Sequence, residues 1–224
     1  MLRIQPDTDP LLRRPISLCA VTTRGVELLF KIRGIGTERM AAWPEGHTID
    51  IIGPLGNGFT PPPAHIPAWR VAGGIGIAPL ICHARWLLSN RPDCDVRMYL
   101  GTGTSADIDA YAPFIPEGCA LHIATEDGTR GERGFVTDML AADADSHPEA
   151  VLDGCGPLPM LNALATLARR TAQACQISLE AHMACGIGAC LGCAVPTHSP
   201  DGPAYVRVCA DGPVFDAQRI FPAT

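Results

Sequence analysis

Four of the ten cysteines lie near the carboxyl end of the chain, with a spacing that could hold a metal centre. They are Cys185, Cys190, Cys193 and Cys209, so the spacing is C-x4-C-x2-C-x15-C. Three thiolates within nine residues converge only if the loop wraps a central object. The loop also contains three glycines, which would let the backbone turn tightly and point N–H groups at sulfur: Gly186, Gly188 and Gly192.

This spacing favours one kind of centre over another. A C-x4-C-x2-C run with a distant fourth cysteine is typical of a plant-type [2Fe–2S] cluster. Structural zinc also takes four thiolates, but usually as C-x2-4-C pairs. Cys190 and Cys193 form one such pair, whereas Cys185 and Cys209 do not form another. The sequence therefore predicts a [2Fe–2S] cluster, with zinc and four unrelated thiols as the alternatives.

Composition excludes several classes of function. The chain of 224 residues is 47% hydrophobic and 18% charged, with a net charge of −6. No run of Lys or Arg suggests nucleic acid, and the most apolar stretch, residues 71–82, is shorter than the ~18 residues that span a bilayer. Residues 1–12 show no signal-peptide pattern. We expect a cytoplasmic protein without nucleic-acid or membrane partners, whose other six cysteines are mostly buried small hydrophobes.

The chain divides into three regions with different sequence patterns, and these regions must position the cysteines. Residues 1–66 contain β-type runs at 16–22, 26–32 and 48–52, which predict part of a small β-barrel. Residues 67–175 alternate strands (69–72, 96–101, 120–125, 150–153) with helices (79–89, 134–142, 158–173), which predicts a doubly wound α/β domain with parallel strands. Residues 176–224 contain one strand-like run, 176–180, and then a Gly- and Cys-rich loop region. The predicted class is α/β plus β.

Two glycine-rich turns of the α/β region could receive a nucleotide. The first follows a strand and opens a helix, so that its N–H groups could meet a pyrophosphate; it contains Gly73, Gly74, Gly76 and Pro79. The second lies between a later strand and helix and contains Gly154, Cys155, Gly156 and Pro157. Two such turns at strand ends would flank the crevice where α/β sheets bind ligands, although a tight turn without a ligand is the alternative.

Both turns resemble signatures of the ferredoxin-reductase superfamily, in which a flavin-binding barrel precedes a nicotinamide-binding domain. The fuller match is to the electron-transfer subunit of class 1B, NAD-dependent dihydroorotate dehydrogenase. It runs through the segments 14–17, 36–37, 53–59, 180–193 and 209–215. The resemblance implies three bound groups, the [2Fe–2S] cluster, FAD and NAD(H), and a partner subunit that contains FMN.

The resemblance also implies which residues contact the cofactors. The FAD set is Arg14, Pro15, Ile16, Ser17, Leu29, Phe30, Lys31, Gly36 and Thr37, with Arg14 on the diphosphate. Phe30 as plain core is the alternative for that residue. The second glycine turn would leave room for the nicotinamide, and core packing is the alternative for Cys155. Only 13 residues precede Arg14, so an N-terminally shortened barrel is expected.

The implied function is electron transfer in pyrimidine biosynthesis. A nicotinamide exchanges hydride and a [2Fe–2S] cluster exchanges one electron, so a flavin is needed between them. In the family, electrons run from dihydroorotate through the partner's FMN to the cluster, then FAD, then NAD⁺. No residue is predicted to act as a catalytic acid or base here. The alternatives are a related NAD(P)H–flavin–[2Fe–2S] reductase for ferredoxin, a sulfur compound or a hydrogenase, and a scaffold that has lost FAD.

Overall fold

The computed structural model describes residues 1–4, 10–199 and 202–223, and it opens with a small β-rich segment. Strands β1 (Leu18–Thr22) and β2 (Gly25–Leu28) form an antiparallel hairpin. Helix α1 (Ile35–Ala41) follows, and its Met40 packs with Leu2 and Ile4 in a separate small core. Leu2 also bridges to Arg14 and to Ile51. The segment thus has paired strands and a core of its own.

A seven-stranded sheet forms the centre of the molecule. Its parallel strands are β3 (Ala68–Gly73), β4 (Val96–Thr102), β5 (Ala120–Thr125), β6 (Glu132–Arg133), β7 (Val151–Cys155) and β8 (Cys175–Ser178), with β11 (Val214–Asp216) added antiparallel at one edge. The strand order is β11-β8-β7-β3-β4-β5-β6. From β3 the chain adds β4, β5 and β6 on one side, and it then crosses to add β7 and β8 on the other side of β3. The junction between β3 and β7 is therefore the topological switch point.

Helices cover the sheet and explain why its strands are so apolar. They are α2 (Ile77–Asn90), α3 (Ser105–Tyr111), α4 (Val136–Ser146) and α5 (Leu158–Thr171). Parallel strands covered on both faces carry continuous apolar runs, and Trp69, Val71 and Ala72 of β3 are all fully buried. Within the described ranges, no helix has the length and apolarity needed to cross a membrane.

The last part of the chain forms a second hairpin. Strands β9 (Ala194–Ser199) and β10 (Gly202–Arg207) pair antiparallel, with Ala194 opposite Arg207 at the open end. Helix α6 (Ala217–Ile220) follows β11 and packs against the sheet through Ala217. β8 and β11 both belong to the central sheet, so the sheet extends into the third region of the sequence.

The structure confirms the predicted α/β plus β class and corrects two of the predicted elements. The strand predicted at 48–52 is wrong, because within the described residues only Ile51 of that run pairs, in one isolated bridge. The loop region predicted beyond residue 180 contains the β9–β10 hairpin and β11, which lack a clear alternation of apolar and polar residues. The predicted strands and helices of the α/β region all occur, with ends displaced by at most four residues.

Candidate iron–sulfur and nucleotide sites

The β9–β10 hairpin explains the long gap before the fourth cysteine. Cys193 directly precedes β9 and Cys209 follows β10 by two residues, so both lie at the open end of the hairpin. The backbone N–H of Val208 donates to the carbonyl oxygen of Cys193 at 3.2 Å, and the N–H of Cys209 donates to Cys193 Sγ at 3.4 Å. Two cysteines separated by fifteen residues are therefore neighbours.

Backbone N–H groups are directed at the sulfurs, as the three glycines of the loop led us to expect. Gly188 donates to Cys209 Sγ at 3.2 Å, and Gly192 donates to Cys190 Sγ at 3.5 Å. The turns need left-handed backbone at Gly186 (φ 73°), Gly188 (φ 81°) and also Leu191 (φ 58°). Such N–H groups stabilise negative charge on cluster sulfurs and help to set the reduction potential.

The four thiols lie near enough to influence one another. Besides backbone hydrogen bonds and burial, Cys190 influences the pKa of Cys185, and Cys193 and Cys185 influence the pKa of Cys209. In the described part of the chain no three His, Cys, Asp or Glu side chains are arranged to hold a single metal ion. A zinc site built from cysteines alone needs four thiolates around one ion, whereas a [2Fe–2S] cluster takes two protein ligands on each of two irons. The C-x4-C-x2-C spacing, typical of the cluster and not of paired zinc ligands, is therefore what favours the cluster over zinc.

Local hydrogen bonds and burial act differently on the thiols. Hydrogen bonds from the backbone, that of Ile187 first, and from Cys190 lower the pKa of Cys185 to about 6. Burial raises the pKa of Cys209 to about 11. Because the thiolate is the form that binds metal, Cys209 releases its proton when a metal centre assembles.

The two glycine turns meet at the switch point of the sheet. β3 and β7 are adjacent, with Ala72 opposite Cys155, so the turns after them lie side by side. A Cβ added at Gly73 would lie 2.6 Å from Pro157 Cδ, and one added at Gly76 would lie 2.3 Å from the carbonyl oxygen of Cys155. The glycines therefore allow close contact between the turns, at the place where α/β sheets receive a nucleotide.

Two residues predicted for the nicotinamide have packing roles in the structure. A Cβ added at Gly154 would lie 2.4 Å from Leu164 Cδ2, so this glycine lets α5 approach β7. The Cys155 side chain is buried, and burial raises the pKa of its thiol to about 12. Gly156 is placed differently, because a Cβ there would lie 2.9 Å from Gly73. Of these three, Gly156 is the one that contacts the first glycine turn, and Pro79 of that turn lies in the first turn of α2.

Several predicted FAD residues come together in the front segment, which is the β-rich part of the chain formed by residues 1–4 and 10–66. The Arg14 guanidinium lies against Gly36, where an added Cβ would be 2.8 Å from Arg14 Nε. Arg14 also donates to the carbonyl oxygen of Leu12 at 2.6 Å, and no carboxylate of the described residues is paired with it. Pro15 and Ser17 are exposed beside it. An arginine without an acidic partner in this part of the chain, next to a glycine, fits a phosphate group.

Other residues of that set are engaged by the protein itself. The Thr37 hydroxyl accepts from Arg33 N at 2.8 Å and donates to the carbonyl oxygen of Gly34, so it caps α1. Phe30 and Ile16 pack against the small core formed by Leu2, Ile4 and Met40. Leu29 packs on the α2 side of the sheet, and Lys31 Nζ pairs with Asp107 Oδ1 at 2.8 Å.

The loop of residues 53–60, for which the sequence predicts no site role, joins the front segment to both other regions. Asn57 N donates to the carbonyl oxygen of Gly212 at 2.6 Å, three residues beyond Cys209. Thr60 exchanges two hydrogen bonds with Gln176 of β8, at 3.0 and 2.9 Å. The signal was present in the sequence, since 53–59 was one of the matched segments, but its contacts are non-local.

A network of buried polar side chains connects β3, β7, β8 and α2 next to the switch point. Arg70 of β3 and Asp153 of β7 are fully buried and form an ion pair, and Gln176 donates to Asp153 at 3.0 Å. His83 Nδ1 lies 3.1 Å from the same carboxylate, and the Phe59 ring stacks on the His83 ring. Burial lowers the pKa of Arg70 to about 9, and burial with the Arg70 charge lowers that of His83 to about 3. At neutral pH Arg70 is therefore charged and the His83 imidazole is neutral.

Comparisons with known proteins show which family the chain resembles. Residues 180–221 match the family model for the iron–sulfur cluster binding domain of dihydroorotate dehydrogenase B. An electron transfer subunit of dihydroorotate dehydrogenase B (NAD(+)) from Geobacillus kaustophilus is 40% identical over 98% of this chain and 84% of its own length. The corresponding subunit from Listeria monocytogenes is 38% identical over 98% and 85%.

Solved structures give the same fold. The structure of an NADH-dependent reduced ferredoxin-NADP oxidoreductase superposes with a TM-score of 0.79 at 25% identity, over 95% of this chain and 75% of that one. The ferredoxin-NADP+ reductase from Plasmodium falciparum shares the fold at 14% identity, with a TM-score of 0.54 over 74% and 73% of the two chains. With relatives at 40% identity across nearly the whole sequence, this chain belongs to the family of dihydroorotate dehydrogenase B (NAD(+)) electron transfer subunits.

Proposed function

We propose that this chain passes electrons between a [2Fe–2S] cluster and NAD(H) by way of FAD, for the oxidation of dihydroorotate to orotate. A separate FMN-containing catalytic subunit would bind dihydroorotate and supply the acid–base chemistry. The observation that carries the proposal is that Cys193 and Cys209 meet at the open end of a hairpin, where the N–H of Gly188, which lies between Cys185 and Cys190, donates to Cys209 Sγ. Membership in the family supplies the partner and the substrate.

The cluster loop, residues 185–193, would supply three ligands and polar surroundings to the cluster, and Cys209 would supply the fourth ligand. Cys185, Cys190, Cys193 and Cys209 would be the four ligands of the cluster. When bound, nicotinamide exchanges hydride, flavin exchanges electrons in pairs or singly, and the cluster exchanges single electrons. The N–H groups of Gly188 and Gly192 already point at sulfur and need no rearrangement to stabilise added negative charge.

The remaining sites would orient the two organic cofactors. Arg14 would pair with the FAD diphosphate beside the backbone of Gly36, with Pro15 and Ser17 exposed on the same segment. The turns at Gly73 and Gly156 would bind the nicotinamide nucleotide at the switch point. Phe30 and the Thr37 hydroxyl would act through packing and helix capping, since the protein already engages both.

A cytoplasmic location is part of the proposal. All ten cysteines are free thiols in the structure, and a cluster ligated by four of them requires reduced sulfur. Reducing compartments such as the cytoplasm keep thiols in that state.

The test is visible absorption and EPR spectroscopy of anaerobically purified protein, before and after dithionite. We expect flavin bands together with a rhombic S = 1/2 signal after reduction. Cys190→Ser should abolish the cluster signal. Cys94→Ser is the matched control, because Cys94 lies outside the loop and its thiol donates to the carbonyl oxygen of Ile66, which a serine can also do. A protein that carries zinc and no iron would contradict the proposal.

A second candidate is a reductase for another electron acceptor, and the NADH-dependent ferredoxin-NADP oxidoreductase of similar fold favours it. Adding dihydroorotate to the complex purified from cells separates the two. Reduction of this chain's flavin through a co-purified FMN protein supports the first function. Reduction by NADH alone, with no FMN protein bound, supports the second. A preparation with the cluster but no flavin would indicate a scaffold that has lost FAD.

A further inference from the structure

Arg207 links the two halves of the cysteine motif, although the motif itself does not include it. Its Nε and Nη2 donate to the two carboxylate oxygens of Asp211 at 3.0 and 2.8 Å. Its Nη1 donates to the carbonyl oxygen of Gly188 at 3.1 Å. Asp211 also accepts from the backbone N–H of Arg207 at 2.7 Å, which closes the turn that contains Cys209.

The Gly188 peptide is therefore held from both sides. Its N–H donates to Cys209 Sγ, and its carbonyl oxygen accepts from Arg207. A Cβ at this position would lie 2.9 Å from Ala210 Cβ and 3.0 Å from Arg207 Nη1, so the fit leaves no space for a side chain. Gly188 lies between Cys185 and Cys190. A single guanidinium thus ties the segment before β9 to the segment after β10.

This contact brings a permanent positive charge close to the cysteines. The guanidinium lies one peptide group away from Cys209 Sγ, since the Gly188 carbonyl oxygen accepts from Arg207 while the Gly188 N–H donates to that sulfur. A cluster gains one negative charge when it is reduced, so a nearby cation stabilises the reduced form and a nearby anion destabilises it. Arg207 and Asp211 have opposite charges, so they should act on the potential in opposite directions.

We propose that Arg207 is a positioning residue for the cluster, which fixes the Gly188 peptide on Cys209 and raises the reduction potential by its charge. Asp211 orients the guanidinium and partly offsets that charge. The inference rests on the proposed [2Fe–2S] cluster, and it adds a residue pair that sets the driving force for electron transfer between cluster and flavin.

The test is the midpoint potential of the cluster, measured by EPR-monitored redox titration of the holoprotein. Arg207→Gln should lower the potential and Asp211→Asn should raise it, each changing the equilibrium constant for one-electron reduction by roughly threefold to tenfold. Arg207→Lys keeps the charge without the planar fork, so it should stay closer to wild type than Arg207→Gln. Arg170→Gln is the matched control, since Arg170 pairs with Asp145 on the surface between α5 and α4.

The outcomes separate this inference from the proposed function. If the wild-type protein contains no iron, the proposed function fails. If the cluster is present and Asp211→Asn fails to raise the potential beyond the Arg170→Gln control, the role of Arg207 and Asp211 is overturned. If Arg207→Gln does not assemble a cluster, Asp211→Asn and Arg207→Lys decide the question, because both keep the positive charge.

Discussion

The backbone N–H of Asn57 donates to the carbonyl oxygen of Gly212 at 2.6 Å, which joins a loop of the front segment to the chain just beyond Cys209. The Asn57 side chain adds bonds to the carbonyl oxygens of Ala210 and Asp211 at 3.3 and 3.2 Å. Gly56 makes this approach possible, because a Cβ there would lie 2.5 Å from the Gly212 oxygen. The cluster segment, which is the stretch from Cys209 to Gly212, is thus anchored to the region proposed to bind FAD.

Asn57→Ala should loosen the cluster segment without unfolding the protein. The change removes two side-chain hydrogen bonds, each worth about 1 kcal/mol, and leaves the backbone bond in place. We expect iron to be lost to an added chelator several times faster than from wild type, which absorbance of the iron–chelator complex follows. Asn162→Ala, on the exposed face of α5, is the control and should release iron at the wild-type rate. Equal rates in all three proteins would show that the Asn57 side chain does not hold the segment.

Arg14→Gln should weaken FAD binding. Hydrogen bonds to charged groups contribute about 1.5–3 kcal/mol, so the dissociation constant of FAD should rise roughly tenfold to a hundredfold. Reconstitution of the flavin-free protein, followed by flavin fluorescence, gives the constant. Arg24→Gln is the control, because Arg24 lies in the exposed turn between β1 and β2. An unchanged constant in Arg14→Gln would remove Arg14 from the FAD site.

Gly76→Ala should force the two nucleotide turns apart. The added Cβ would lie 2.3 Å from the Cys155 carbonyl oxygen, a backbone atom that has little room to move. Overpacking of this kind costs about 1–3 kcal/mol in the free energy of unfolding, and we expect weaker NADH binding as well. Denaturant unfolding and an NADH titration measure the two effects. At Gly103 an added Cβ meets nothing within 4 Å, so Gly103→Ala should leave the free energy of unfolding nearly unchanged.

The sequence predicted those features that depend on local pattern. Apolar runs such as 96–101 mark buried parallel strands because both faces of the sheet are covered, and the cysteine spacing marks the cluster loop. The glycine turns were also predicted to share a crevice, and the structure places them side by side at the switch point.

The features that the sequence did not predict depend on contacts between distant residues. The β9–β10 hairpin carries Pro196 and Pro203 and alternates poorly, so its strands were not predicted. Gly154 was predicted beside the nicotinamide, but only the packing of Leu164 shows why a glycine is needed there. The exchange between Thr60 and Gln176 spans 116 residues, and no local pattern indicates it.

The buried network makes the protein sensitive to acid through His83. Burial and the Arg70 charge lower the pKa of His83 to about 3 in the folded protein, whereas an unfolded histidine titrates near its ordinary value of 6.5. The Asp153 carboxylate also faces His83, with 3.1 Å between Oδ2 and Nδ1, and it forms an ion pair with Arg70. Between pH 6.5 and 3 the unfolded state therefore binds the extra proton.

His83 should consequently make the free energy of unfolding fall as the pH drops from about 6.5 towards 3, by a total on the order of 5 kcal/mol. Above pH 6.5 both states are neutral at His83, and the contribution is constant. His83→Gln removes the titrating group, so its unfolding free energy should fall less steeply over this range. Urea unfolding at several pH values measures both slopes, and His47→Gln is the control, since His47 is exposed beside Trp43. Parallel pH profiles for wild type and His83→Gln would show that His83 is not held neutral by burial.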